Sequence, residues 1–344
     1  VARVVEPVGR RPTILTVAEH AGVSRMTVSR VLSGGKNVRP ELVEKVHASV
    51  AALGYRRNEQ ARSLRPGQRS GLIGMAITNV ANPYYGEFVL GADEVVSGSG
   101  RGLLIGSTSE DEDKERLLIA DFIGRQVEGL IVVPTGARRH LLPGALGGVP
   151  LVLASRAVAG VRADTVLVAD VQASYDQVSA LIEAGHRRIG FLGTRTSVFT
   201  GQRRYEGFRL AHEDAGLELD DDLVLVGQQD VESAKAAMES LLGRADPPTA
   251  VFCANNRNAI GAVRALLAAP RRTRGAEPTA LVSFDNFELA DVLGIPVTII
   301  DHDARDLGRQ AASMLIARLD GAEDELPQTV ELPTRTLDYG GDPI

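Results

Sequence analysis

Residues Thr13–Leu32 read TILTVAEHAGVSRMTVSRVL, two short helical runs on either side of Ala21-Gly22-Val23-Ser24. Thr13 is placed to cap the first run and Ser24 the second, because a hydroxyl just before a helix accepts N–H groups that lack an intrahelical partner. Ala18, Ala21, Val23, Val28 and Val31 are small or branched apolar residues, suited to the steep crossing of a helix-turn-helix. An ordinary αα-corner offers the same pattern over twenty residues, so the surroundings decide.

Downstream, Ser33-Gly34-Gly35 ends the second run, and PELVEKVHASVAALGY from Pro40 predicts a third helix with Val43, Val46, Val50 and Leu53 on one stripe. Three helices in about 45 residues make a small core, enough for a headpiece and little else. Residues 1–11 show no periodicity and read as a basic arm. After Arg56-Arg57, the segment Asn58–Arg65 (NEQARSLR) is too short for a helix that is stable alone in water. It is either a flexible linker or a hinge that becomes helical against DNA and wedges Leu64 between base steps.

The charge is divided. Residues 1–69 carry 13 Lys/Arg against 5 Asp/Glu, a net of +8, whereas the remaining 25 basic and 39 acidic residues give −14. The overall net charge of −6 argues against nucleic acid, but the split argues for a contact confined to the basic end. From Leu72 the pattern changes to apolar strands separated by helices: LIGMAIT, GLIVVP, PLVLAS, TVLVAD, RIGFLG, AVFCAN, ALVSFD and VTIIDH, with TVELPTRTL as the final strand. Continuous apolar strands of this kind mean parallel sheets covered on both faces. Some 275 residues exceed one comfortable core, and two similar α/β lobes with a cleft between them account for the length.

Cys253 is the single cysteine, which excludes an intramolecular disulfide and a thiolate metal cluster. Six scattered histidines offer no metal-ligand spacing, and His186 and His302 have no acid-plus-nucleophile neighbours in sequence. The first strand turn, TNVANPYYGE, is not a glycine-rich phosphate loop. An enzyme, a resident cofactor and a metal are therefore not expected. No apolar run is long enough to span a bilayer and VARVVEPVGRR lacks a signal-peptide core, which makes the bacterial cytoplasm the default location. The chain starts at Val1, so the natural start is expected to be missing or processed.

The segments TVAEHAGVSRMTVSRVLSG, LGYRRNEQARSL, GLIGMAIT followed by ANPYYGE, GHRRIGFLG at 185–193, RYEGF at 204–208, CANNRNAIGAV at 253–263 and FDN at 284–286 occur in an order that resembles the LacI/GalR family of bacterial transcription repressors. The resemblance covers residues 13–340. It implies an α/β architecture: a small all-helical helix-turn-helix headpiece (13–57), a hinge helix (58–66) and a two-lobed body like a periplasmic binding protein, built on parallel sheets. The N-terminal lobe would be 71–170 plus 302–328 and the C-terminal lobe 171–301 plus 329–340, with crossings near Asp170, near Asp301 and at 328–330. The same resemblance implies a homodimer on double-stranded, pseudo-palindromic operator DNA, controlled by a small effector between the lobes, with no membrane attachment.

On that resemblance Arg25, Met26 and Arg30 fall on the positions that touch base edges. Arginine forks suit guanine O6 and N7, while Met26 can make only apolar contacts. Thr13, Ser24, Thr27 and Ser29 fall to phosphate or helix support. Leu64 matches the intercalating hinge leucine, and Asn58, Ala61 and Arg62 stand beside it. The family often has Ser or Thr before the third helix and Thr-Arg in its first turn; Arg39-Pro40 and Leu42-Val43 stand here, so one phosphate contact is either missing or shifted to Arg39.

For the effector the matching positions are Tyr84, Tyr85, Arg156, Arg204, Phe252, Asn255, Asn256 and Asp285. Aromatics stack on a ring, and arginine and aspartate hold its polar groups. Three departures matter: Ser155 replaces the usual Asp before Arg156, Asn256 stands for Asp, and Val171 follows Asp170 in place of Asn. Fewer acids with both arginines kept suit a sugar derivative bearing its own negative charge, phosphorylated or acidic. A nucleobase or nucleoside acting through a corepressor-type or activating response is the alternative. A solute-binding module without regulatory DNA binding is a third reading.

Overall fold

The computed structural model describes residues 12–32, 38–55, 70–269, 279–321 and 326–339. The chain divides into two compact units, residues 1–70 and 71–344. The expected hinge residues Asn58, Ala61, Arg62 and Leu64 lie outside the described residues.

The headpiece contains α1 (Ile14–Ala21), α2 (Arg25–Leu32) and α3 (Pro40–Leu53). Thr13 and Thr16 form a reciprocal capping box at the start of α1. Gly22 ends that helix at φ +65°, a left-handed position that glycine adopts without steric cost. Ser24 Oγ accepts the Thr27 N–H at 3.1 Å and opens α2. Val17, Ala18, Val28, Val31 and Val46 close the core, with Ala21 and Val23 packed against it. Six of these residues, Val17, Ala18, Ala21, Val23, Val28 and Val31, lie between Thr13 and Leu32 and bury apolar surface in the pattern a helix-turn-helix requires.

Among the described residues the body holds two six-stranded sheets. The first has the order β11-β5-β4-β3-β1-β2, built from β1 (Leu72–Ile77), β2 (Gly102–Ser107), β3 (Gly129–Val132), β4 (Leu151–Ala154), β5 (Asp164–Val168) and β11 (Thr329–Leu332). The second has the order β12-β10-β9-β8-β6-β7, from β6 (Ile189–Gly193), β7 (Val224–Val226), β8 (Ala250–Cys253), β9 (Ala280–Phe284), β10 (Val297–Asp301) and β12 (Arg335–Tyr339). All pairings are parallel except β10 with β12. The helices are α4 (Pro83–Gly98), α5 (Glu112–Gly124), the short α6 (Pro143–Leu146), α7 (Asp170–Glu183), α8 (Phe199–Asp214), α9 (Val231–Leu242), α10 (Asn256–Ala268) and α11 (Ala304–Leu319).

The chain passes between sheets after β5, after β10 and again between β11 and β12. The last passage corrects the expected division, which put 329–340 in the C-terminal lobe. Val330 pairs with Val166, so residues 329–332 complete the first sheet. The passage falls at Pro333-Thr334, and only β12 joins the second sheet. TVELPTRTL is two strands in two lobes. The carboxylate of Asp164 fixes this ending: it accepts from Arg318 Nε at 2.7 Å and from the Gln328 N–H at 2.8 Å, just before β11 begins.

Close helix contacts rest on glycine where no side chain would fit. α4 and α11 touch backbone to backbone, and a methyl on Gly308 would stand 2.0 Å from the Phe88 carbonyl oxygen. Gly207 of α8 does the same against Val171 O of α7, at 2.2 Å. Gly308→Ala is expected to destabilise the body by about 1–3 kcal/mol, because the helices must separate to admit the methyl. Urea unfolding of the variant against the parent measures it.

Candidate functional site

In the headpiece, Arg25, Met26 and Arg30 stand exposed on α2, and Met26 is 70% exposed. Met26 therefore contributes nothing to the headpiece core. Ser24 and Thr27 hydroxyls lie 2.9 Å apart and are engaged with each other and with the helix start. Thr13 is likewise engaged with Thr16, through three contacts of 2.7–3.3 Å. These residues support the helices that display the arginines. Arg39 precedes α3 with no side-chain capping bond and is exposed.

In the body, a cleft of about 990 Å³, including its open mouth, runs between the two sheets. It opens at the C-terminal ends of parallel strands, where loops and helix starts converge. Tyr84, Tyr85, Arg156, Arg204, Asn255, Asn256 and Asp285 all line it. Phe252 does not. It is fully buried in β8 and stacks on Phe191 with centroids 5.8 Å apart, so it belongs to the core. A strand buried on both faces carries aromatic residues as packing, so the expected effector contact of Phe252 gives way to a core role.

The floor of the cleft is an ionic cluster centred on Arg204. Its Nε donates to Asp170 Oδ1 at 2.7 Å, and Nη1 donates to Ala254 O at 2.7 Å and to Asp285 Oδ2 at 3.0 Å. Nη2 reaches Asp285 Oδ1 at 3.3 Å, and the guanidinium lies 3.6 Å over the Phe284 ring. Burial pulls the Arg204 pKa down, but Asp285 and Asp170 hold it above its ordinary value and the group stays charged. Asp170, fully buried, is pushed up by burial against the pull of Arg204. Its second oxygen, Oδ2, has no hydrogen-bond donor. Asp285 follows β9 at φ +66° and Ser155 follows β4 at φ +62°. Left-handed backbone at residues other than glycine concentrates where function holds it.

On the other wall Tyr84 OH lies 3.1 Å from His302 Nε2 and 3.4 Å from Ser155 Oγ, and Tyr85 OH accepts from Thr78 at 2.8 Å. Burial raises both tyrosine pKa values and lowers that of His302, so all three rings are neutral. Asn82 caps α4, Pro83 follows in its first turn, and this start presents the two tyrosines. Across the cleft Asn255 caps α10, accepting the Asn258 N–H at 2.8 Å. The adjacent Asn256 exchanges two amide bonds with Asn82, of 2.9 and 3.3 Å, from one lobe to the other.

The sequence pointed to too few acids in the cleft, and the geometry corrects that. Arg156 is held bidentately by Glu110, with both bonds at 2.7 Å, and donates to Pro134 O at 3.1 Å. Glu110 lines the cleft from the turn after β2. The carboxylate absent at Ser155 is thus supplied 45 positions earlier in the chain, and neither Arg156 nor Arg204 is left as a bare cation. Glu110, His302, Asn82 and Asp170 are parts of the site that residue types alone do not reveal; of these, Asp170 entered the sequence reading only as a lobe crossing and as the residue before the departure at Val171. Among the described residues no group of three His, Cys, Asp or Glu is placed to hold a metal ion. Cys253 is a buried thiol whose pKa burial pushes up.

Residues 70–338 match the family described as periplasmic binding proteins and sugar binding domain of LacI family, and residues 13–58 match the bacterial regulatory proteins of the lacI family. The chain belongs to the LacI family. The HTH-type transcriptional regulator CelR of Thermobifida fusca is 33% identical over 95% of this chain and 97% of its own length. A solved complex of a transcriptional regulator CelR with cellobiose is 30% identical, with a TM-score of 0.70, over 96% of this chain and all of that one. A Lac repressor dimer bound to operator and the anti-inducer ONPF shares the fold at 23% identity, with a TM-score of 0.79 over 95% of this chain and 98% of that one. As in other LacI-family transcription regulators, a helix-turn-helix DNA-binding part precedes an effector-binding body. No helix among the described residues is long and apolar enough to cross a membrane.

Proposed function

We propose that this chain is a homodimeric repressor that reads a pseudo-palindromic operator through Arg25, Met26 and Arg30, and that a polyhydroxylated effector of the sugar class in the cleft releases it. One observation carries the choice of effector: Asp170 is among the residues lining the cleft and its buried Oδ2 has no donor, beside an Arg204 already neutralised by carboxylates. A ligand hydroxyl satisfies that oxygen; a second anion is repelled by it. The cellobiose complex of the CelR relative favours the same class.

The dimer reading is supported by the outer edge of the first sheet. Among the described residues β2 has no strand on its far side, and Ile105 on it, Leu117 on α5 and Leu90 on α4 are 47%, 59% and 49% exposed. Apolar side chains around an unpaired strand edge suit a second copy of the chain. Light scattering is expected to give twice the 36.6 kDa of one chain.

The test is fluorescence anisotropy on a duplex selected from a random pool, titrated with the full-length protein alone and with cellobiose, ribose or other sugars. Tight binding that weakens steeply with KCl and is reversed by one sugar is the expected result. Failure to select any sequence sinks the DNA reading. Tighter binding in the presence of the ligand replaces release by corepression.

A further inference from the structure

We infer that Glu110 is a specificity-determining residue of the cleft: by neutralising Arg156 it restricts the N-terminal-lobe end of the effector site to uncharged, hydroxyl-bearing groups and turns away phosphate and carboxylate there. The inference rests on the reading of the cleft as an effector site.

Arg156 by itself is a receptor for anions. It is 6% exposed, lines the cleft and presents a planar fork matched to a carboxylate or a phosphate. Glu110 takes that fork, Oε1 accepting from Nη2 and Oε2 from Nη1, each at 2.7 Å. The third bond of the guanidinium goes to Pro134 O. A phosphate arriving at this end must therefore displace a carboxylate or lie against it. The Glu110 side chain is 35% exposed, and its oxygens keep lone pairs that can accept ligand hydroxyls.

The turn that delivers Glu110 is held in an unusual shape. Ser109 and Glu110 have φ of +55° and +59°, two successive left-handed residues that are not glycine. Three backbone bonds fix them: Thr108 N–H to Ile77 O at 2.8 Å, Ser109 N–H to Thr78 O at 2.8 Å, and Asp111 N–H to Thr108 O at 3.1 Å. Asp111 then caps α5 by accepting the Lys114 N–H at 2.8 Å. The turn is thus tied to the end of β1 on one side and to a helix start on the other. A carboxylate placed by so much backbone needs no reordering to meet Arg156.

Inorganic phosphate is the probe. Full-length wild type, Glu110→Ala and Glu110→Gln are titrated with sodium phosphate by calorimetry, with sodium chloride matching the ionic strength, and their Tm is followed alongside. The alanine variant is expected to bind phosphate at least tenfold more tightly than wild type and to gain a phosphate-dependent rise in Tm. Glu110→Gln, which keeps the shape and loses the charge, moves in the same direction by a smaller factor. Adding Arg156→Ala to the alanine variant abolishes the gain. Equal phosphate responses in all three proteins overturn the inference, as does tight phosphate binding by wild type that Arg156→Ala removes. If the alanine variant does not fold, the glutamine variant decides by the same criteria. Failure of the effector reading shows differently: the phosphate series behaves as expected, yet no small molecule alters operator affinity.

Discussion

Arg204→Ala is expected to destabilise the body by about 3–5 kcal/mol, the scale of breaking a buried ion pair from one side. Arg204 is 6% exposed and its guanidinium answers Asp170, Asp285, Ala254 O and the face of Phe284 together. Alanine leaves Asp170, which is wholly buried, and Asp285, which is 8% exposed, without a counter-charge. The deficit should narrow on acidification. Burial already raises the Asp170 pKa, and without arginine that rise loses its largest counterweight. A carboxylate whose folded pKa lies above its unfolded value weighs against folding at higher pH, and the penalty disappears once the pH has fallen below both values. Urea unfolding of parent and variant at neutral pH and in acid measures both effects, and a constant difference between the two conditions contradicts the account. Arg204→Lys is expected to recover only part of the loss, because one ammonium cannot replace a fork that serves two carboxylates and a carbonyl.

The second large effect lies in the headpiece. Arg25→Ala is expected to weaken operator binding by about 2–6 kcal/mol, since one base contact is worth about 1–3 kcal/mol and a dimer loses two. Arg25 is exposed at the first position of α2, so the loss should come with no change in the unfolding of the protein. Competition with duplexes altered one base pair at a time tells how the side chain acts. A base reader leaves discrimination relaxed at one position of each half-site. A phosphate contact weakens every sequence alike and lowers the salt slope by about one for each arginine removed. Met26→Ala, tested in parallel, is expected to cost less, because its apolar side chain offers no hydrogen bond.

How far the sequence could be read differs from part to part, for physical reasons. The headpiece was legible because its signals are local: hydroxyls at Thr13 and Ser24, a left-handed glycine at Gly22 and a 3.6-residue apolar stripe through Val43, Val46 and Val50. The strands were legible from their apolar runs, though TVELPTRTL looked like one strand because nothing in its residue types marks a change of sheet. Asn255 and Asp285 were placed in the cleft correctly, since residues at strand ends and helix starts gather there. Phe252 was not, because an aromatic on a doubly covered strand looks the same whether it faces a ligand or the core. Glu110 was invisible for another reason. Its partner is 46 residues away, and the contact exists only because a left-handed turn aims one acid out of SEDED at a distant arginine. Counting acids near an arginine in sequence misjudges its charge balance whenever the fold imports the counter-ion.

The two strands on either side of Pro333-Thr334 set an order of events during synthesis. Each sheet of the body lacks one of its two edge strands until residues 329–339 have left the ribosome, whereas every residue of the headpiece core emerges by Tyr55. Domains fold broadly in the order in which they are made. The growing chain therefore carries a folded headpiece for most of its production while the part that senses the ligand is still missing strands from both halves. A message that stops near residue 328 yields the headpiece joined to a body that lacks an edge strand in each sheet, so frameshifts late in the coding sequence should produce proteins that no longer answer to any effector.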